Sequence, residues 1–153
     1  MQVRIGQCKR SLAILWLGAS GALFLLILYE TQVGPLGDQQ QSTWGWFFQS
    51  VLPTLLLIVG VLGADATRAD SDTRTVDRFF YRVALGMSAL YLLVMLFTFV
   101  LSAVSYFHQG TGDIGWKPLE SMQNSTFYLG PLQGLTAAAL GVFFTKAETS
   151  VGP

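Results

Sequence analysis

The sequence predicts an all-helical integral membrane protein, folded as a compact bundle of four transmembrane helices. Of its 153 residues, 52% are hydrophobic and only 12% are charged, whereas about a quarter of the residues in a soluble domain are charged. The apolar residues also form four uninterrupted runs, each close to the roughly 20 residues that cross a bilayer. A chain of this composition is expected to be solvated by lipid rather than by water.

The four apolar runs are the predicted spans, and they cover residues 12–29, 46–64, 83–107 and 127–145. The third run is long enough to cross the bilayer with a tilt. The fourth is the least hydrophobic, because it contains several glycines and Gln133. Since no run has an Asp, Glu, Lys or Arg in its core, we expect residues 1–153 to form a single membrane domain.

Basic residues predict the orientation, because loops that carry Lys and Arg remain in the cytoplasm. Eight of the nine basic residues flank the same ends of the spans, and Lys117 is the exception. These eight residues are Arg4, Lys9, Arg10, Arg68, Arg74, Arg78, Arg82 and Lys146. We therefore expect both termini and the loop of residues 65–82 in the cytoplasm, and the loops of residues 30–45 and 108–126 outside.

The two predicted hairpins resemble each other. Residues 17–27 match residues 85–94 when one glycine is skipped, and Pro53 and Pro131 each lie fourteen residues before a Thr-basic-Ala-acidic sequence. These features predict a tandem repeat of two helical hairpins, related by a pseudo-two-fold axis along the membrane normal. The alternative is chance similarity between leucine-rich spans.

Small residues recur at every fourth position in three of the spans, with Gly60 and Ala64 in the second, a spacing that lets helix backbones approach closely. Gly130, Gly134 and Ala138 follow this spacing in the fourth span, with Gly141 close to the same face, and the first span contains Gly18 and Ala22. We expect these residues to form helix-packing faces. The faces serve either packing inside one chain or the assembly of a homo-oligomer.

Uncharged polar residues within the spans need hydrogen-bond partners, because hydrocarbon offers none. Hydrogen bonds between helices are expected to supply them, and the lining of an aqueous path is the alternative. These residues are Gln49, Thr54, Ser88, Thr98, Ser102, Ser105, Gln133 and Thr136. Pro53 and Pro131 each remove one helix hydrogen bond, so a bend there would open a carbonyl to a partner or to water. The candidate gate or pore residues are Glu30, Gln49, Pro53, Pro131 and Gln133.

The predicted cytoplasmic loop of residues 65–82 is the most densely charged part of the chain, with four acidic and four basic residues. Its arginines are candidates for docking a cytoplasmic partner or for binding anionic lipid headgroups, and they are Arg68, Arg74, Arg78 and Arg82. The third helix is expected to begin within this loop, with Asp72 or Thr75 as its N-cap.

Catalytic, cofactor-binding and metal-binding residues are not predicted. One cysteine and one histidine cannot complete a structural zinc site, and the chain has no glycine-rich phosphate loop and no Gly-x-Ser-x-Gly nucleophile turn. A lipid-modifying enzyme would need more acid–base groups at the bilayer face than Glu30 and His108 provide. The formal net charge of zero argues against nucleic-acid binding.

The function predicted from these residues is that of a small, non-enzymatic integral membrane protein. It is expected to self-assemble through its small-residue faces and to anchor or recruit a cytoplasmic partner. The alternative is an oligomeric pore, or a membrane-perturbing effector or sensor such as those of bacterial stress or antiviral defence. Short loops favour a multi-pass protein of the bacterial inner membrane, with membrane lipids as its immediate surroundings.

Overall fold

The computed structural model describes residues 2–33, 40–66, 75–108 and 118–149. These residues form four helices, in chain order α1 (Ile5–Gln32), α2 (Gln40–Ala66), α3 (Arg78–His108) and α4 (Pro118–Thr149). Each helix contains a segment that is long and apolar enough to cross a membrane. The prediction of four helices of membrane-spanning length is therefore confirmed.

Every helix is longer than the apolar run that predicted it. α4 begins at Pro118, nine residues ahead of its predicted span, and proline is favoured in the first helical turn because its missing N–H is not needed there. Apolar content marks the hydrocarbon layer, whereas a helix continues for as long as its backbone hydrogen bonds are satisfied. Much of the predicted outer loops is consequently helical.

The four helices pack around a square. α1 packs against α2 and α3, and α4 also packs against α2 and α3, most extensively against α3. α1 and α4 therefore occupy opposite corners, as do α2 and α3. A pseudo-two-fold axis that exchanged the two hairpins would instead place α1 opposite α3. The observed packing differs from that expectation, and the tandem repeat remains a prediction.

Large side chains fill the centre of the bundle, and apolar side chains also cover its outside. Trp16, Tyr91 and Phe143 are fully buried. The outer surface carries large hydrophobic residues that are more than half exposed on all four helices, namely Leu25, Leu56, Phe97 and Leu135. In water such a surface would be unfavourable, but hydrocarbon solvates it without cost. Both surfaces fit a multi-pass membrane protein.

A short antiparallel ribbon joins two distant parts of the chain at one end of the bundle. Strand β1 (Gln2–Arg4) pairs with strand β2 (Thr75–Asp77), and Val3 lies opposite Val76. We call this end, where α1 and α3 begin and α2 and α4 finish, the ribbon end. The ribbon was not predicted from the sequence, because six residues carry too little periodicity to indicate strands.

The ribbon also determines where α3 starts. The backbone stays extended through Asp77, and the Asp77 carboxylate oxygen Oδ1 accepts a hydrogen bond of 3.1 Å from the Phe79 N–H. Asp77 is thus the N-cap of α3. The expectation of Asp72 or Thr75 was wrong, because Thr75 pairs with Arg4 in the ribbon and no helical turn can begin there.

Candidate functional site

The small-residue face of α4 points away from the bundle. Gly130, Gly134 and Ala138 are exposed, and Gly141 is half-buried. A Cβ atom added at any of these three glycines would meet nothing within 4 Å. Among the described residues, no other helix packs closely against these glycines.

A second small-residue surface lies on α1. Gly18 and Ala22 are both exposed, and a Cβ atom at Gly18 would also meet nothing within 4 Å. Ala22 borders an apolar groove of about 340 Å³ between α1 and α3, which Ala19 and Ala89 also line. The predicted packing faces of α1 and α4 thus both remain open on the outside of the bundle.

The predicted gate or pore residues do not converge. Gln49 and Pro53 are exposed on α2 and Pro131 is exposed on α4, whereas Gln133 is half-buried and reaches into the bundle. Glu30 is half-buried near the end of α1, and its carboxylate oxygen Oε2 is buried without a hydrogen-bond partner among the described residues. The polar groups of this set therefore face different surroundings.

The backbone carbonyl of Ser50 joins three helices at mid-depth. It accepts a hydrogen bond of 2.7 Å from the Tyr91 hydroxyl on α3 and one of 3.0 Å from the Gln133 side-chain amide on α4. Ser50 lies on α2, three residues ahead of Pro53. The helix hydrogen bond that Pro53 removes is the one to the carbonyl of Gln49, four residues earlier, so the proline does not account for the two donors at Ser50.

Tyr91 connects α3 to two other helices. Its ring stacks on Trp16 of α1, with 5.7 Å between ring centroids and an angle of 25° between the planes. Its hydroxyl crosses the bundle to α2, which occupies the opposite corner from α3. The side chain is fully buried, and it fixes the positions of α1, α2 and α3 relative to one another.

Eight polar or amphipathic side chains from all four helices lie in a common layer. Each is within about a turn and a half of the midpoint of its helix. We call this set the mid-depth polar layer, and it consists of Trp16, Ser20, Ser50, Thr54, Ser88, Tyr91, Gln133 and Thr136. A membrane-spanning helix has its midpoint near the bilayer centre, so the layer lies where hydrocarbon is farthest from water.

The other predicted hydrogen-bonding residues mostly bond within their own helices. Thr98 and Ser102 each donate to the carbonyl four residues earlier at 2.9 Å, as Thr136 of the mid-depth polar layer does at 2.8 Å. Thr98 also lies 3.1 Å from the Tyr128 hydroxyl across the α3–α4 contact. The Ser105 side chain lies outside the described residues. Helix-to-helix hydrogen bonding is therefore present but confined to a few positions.

Basic residues at the ribbon end have different surroundings. Arg68 and Arg74 lie outside the described residues, Arg78 is half-buried, and Arg82 is exposed. Lys9, used above only to predict orientation, is 6% exposed and places its Nζ atom 5.8 Å from the centre of the Phe144 ring. Its cation–π contact with Phe144 links α1 to α4, so Lys9 is a structural residue here.

Half of the mid-depth polar layer was not among the residues predicted from the sequence, namely Trp16, Ser20, Ser50 and Tyr91. Trp and Tyr are counted with the hydrophobic residues of the sequence, so their polar atoms do not interrupt an apolar run. The spacing held a signal, because Trp16 and Ser20 are four residues apart and so are Ser50 and Thr54. Residues at that distance lie on one helix face.

Among the described residues, no group of three or more His, Cys, Asp or Glu side chains could hold a metal ion.

Comparison with known protein families, with characterised proteins and with solved structures finds no match for this chain. The functional conclusion therefore depends on the residues and their geometry.

Replacing Tyr91 with Phe tests the junction at Ser50. The variant Tyr91→Phe keeps the ring that stacks on Trp16 but loses the hydrogen bond to the Ser50 carbonyl. We expect the free energy of unfolding to fall by about 1 kcal/mol, measured by reversible unfolding in mixed detergent micelles with tryptophan fluorescence.

The matched control is Tyr29→Phe, which removes a hydroxyl from a side chain that is 62% exposed. Its free energy of unfolding should stay within about 0.5 kcal/mol of the original. Equal effects of the two substitutions would show that the Ser50 junction contributes nothing specific.

Proposed function

We propose that this chain is a non-enzymatic integral membrane protein that assembles with further copies of itself and anchors a cytoplasmic partner at its ribbon end. The observation that carries the proposal is the open small-residue face of α4. Gly130, Gly134 and Ala138 are exposed in a row, and none of the residues that the structure describes occupies the space next to the two glycines.

The energetics of this face favour a second copy as its occupant. A glycine inside a helix is about 1 kcal/mol less favourable than alanine. At these positions no packing contact with the described residues offsets that cost. In a membrane, small residues at this spacing let two backbones come into close contact, and van der Waals attraction then drives association. Leu135 and Val142, which are 60% and 46% exposed, would form the walls of the groove.

The hydropathy of α4 also favours this helix for contact between copies. Its membrane-spanning segment has a mean hydropathy of 1.4, whereas those of the other three helices lie between 2.0 and 2.3. A helix of lower hydropathy gains least from contact with lipid. Contact with protein is therefore more favourable for α4 than for α1, α2 or α3.

The ribbon end offers a surface for a partner. The basic residues predict that this end lies in the cytoplasm, and Arg82 is exposed there at the start of α3. Exposed arginine is suited to acidic groups, because its guanidinium donates several hydrogen bonds in a fixed geometry. Such a surface would recognise an acidic protein segment or anionic lipid headgroups.

The variant Gly134→Leu tests self-assembly. A leucine at this position meets no atom of its own chain at Cβ, so the monomer should fold, but the side chain would hold a second helix away. We expect the dissociation constant between copies to rise at least tenfold, which is about 1.4 kcal/mol. Energy transfer between labelled copies diluted into lipid vesicles measures this constant.

Gly86→Leu is the matched control. Gly86 lies on α3, is exposed and has nothing within 4 Å of an added Cβ, so it shares every feature of Gly134 except the face. Association should be unchanged in this variant. If Gly134→Leu leaves the dissociation constant unaltered, the α4 face does not mediate assembly.

A pore formed between copies is the second candidate, and one observation favours it. Gln49 and Pro53 are exposed one turn apart on the same face of α2, where an amide facing lipid lacks partners. If α2 helices met around a central axis, Gln49 would line a path. We expect no ion leak from vesicles that contain the purified protein, and a leak that Gln49→Leu abolishes would favour the pore instead.

Charge reversal tests the docking surface. In the double variant Arg74→Glu and Arg82→Glu, we expect loss of proteins that cross-link to the ribbon end in native membranes, because like charges repel an acidic partner. If the double variant loses these cross-linked proteins but still binds anionic vesicles, the arginines dock a protein rather than lipid headgroups. A cross-linking pattern identical to that of the original protein would contradict the proposed docking at this end.

A further inference from the structure

Four buried polar atoms of the mid-depth polar layer have no hydrogen-bond partner among the described residues. They are the Trp16 indole nitrogen and the hydroxyl oxygens of Ser20, Thr54 and Ser88. All four side chains are at least 95% buried. Unpartnered polar atoms at this depth are costly, because neither lipid nor bulk water can reach them.

The hydroxyls differ from others on the same helices. Ser and Thr in membrane helices ordinarily donate to the carbonyl four residues earlier, as Ser50 does to Trp46 at 2.8 Å and Thr136 to Leu132 at 2.8 Å. Ser20, Thr54 and Ser88 do not. For Thr54 the structure gives the reason, since the carbonyl it would use is that of Ser50, which already accepts from Tyr91 and Gln133.

The four atoms lie around one side chain. Ser88 is on α3 one turn before Tyr91, and Trp16 stacks on the Tyr91 ring. Ser20 follows Trp16 by one turn on α1, and Thr54 follows Ser50 by one turn on α2, where the Tyr91 hydroxyl binds. The chain direction places Thr54 and Ser88 on the ribbon side of the Tyr91 contacts and Ser20 on the other side, each within about one turn of those contacts.

We propose that the mid-depth polar layer binds ordered water molecules inside each bundle. Trp16 offers a donor only, and each hydroxyl both donates and accepts, so water complements all four groups. The layer contains no charged side chain among the described residues, which makes it a poor site for an ion. Buried waters ordinarily make about three hydrogen bonds to groups of this kind. The proposal does not depend on self-assembly.

Contact between water and the Trp16 indole proton tests the proposal directly. The protein, labelled with ¹⁵N at its four tryptophans, is placed in lipid nanodiscs, and its Trp16 signal is assigned by Trp16→Phe. Paired NOE and ROE spectra then separate close contact with water from proton exchange. We expect a direct water contact at Trp16.

Trp46 is the matched control within the same chain. It is 5% exposed, and its indole nitrogen donates to the Ser125 hydroxyl at 2.9 Å, so it needs no water. We expect no water contact at Trp46. Absence of the contact at Trp16, or equal contacts at both indoles, would overturn the proposal.

The sign of a stability change gives a second test. If water binds the hydroxyls, Thr54→Val and Ser88→Ala each remove a hydrogen bond, and the unfolding equilibrium constant should rise about fivefold. If the hydroxyls are dry, apolar replacement removes an unsatisfied group and the constant should fall. Thr31→Val, whose buried hydroxyl donates to Ile27 at 2.8 Å within its own helix, is the control. An unfolding equilibrium constant that falls or stays unchanged in both Thr54→Val and Ser88→Ala would contradict water binding. A rise in this constant without a water contact at Trp16 would contradict it as well.

Discussion

The fold depends on the need to satisfy polar groups where hydrocarbon supplies no hydrogen bonds. The Ser50 carbonyl shows how the chain meets this need, because Tyr91 and Gln133 from two other helices donate to it. Tyr91 must cross the bundle to reach it, and its ring packs on Trp16 on the way. This one backbone carbonyl therefore helps to determine which helices are neighbours and which are opposite. Apolar packing alone distinguishes these arrangements poorly, since lipid and leucine are equally apolar.

The same constraint separates the two kinds of helix contact. Large side chains such as Trp16, Tyr91 and Phe143 occupy the inside of the bundle. The glycines of α1 and α4 do not contribute to that interior. They lie towards the outside of the bundle, with open space beside them. Contacts inside the chain thus rely on aromatic bulk and a few hydrogen bonds, whereas contacts between chains are proposed to rely on close backbone approach. The two sets of residues do not compete for the same faces.

Much of the fold was predictable from the sequence, because four apolar runs without charges leave little choice other than membrane helices. The helix ends were not predictable, since hydropathy falls at the edge of the hydrocarbon while the helices continue, as α4 does back to Pro118. The ribbon and the Asp77 cap depend on pairing between residues more than seventy positions apart. The direction of each small residue could not be read either: Gly134 has the spacing of a packing face, but spacing does not tell which side of the helix faces the bundle.

The mid-depth polar layer is relevant to whether copies of the protein associate through their outer surfaces or conduct ions. Its residues from all four helices are uncharged, and those with partners bind one another or backbone carbonyls inside a single bundle. A conducting path needs polar groups that face a continuous aqueous space and exchange partners readily. Gln133 is held by the Ser50 carbonyl instead, and Pro131 of the same helix faces outwards. Polar groups committed to internal contacts leave the outer surface to shape and van der Waals packing, which are the interactions that assemble helices in lipid.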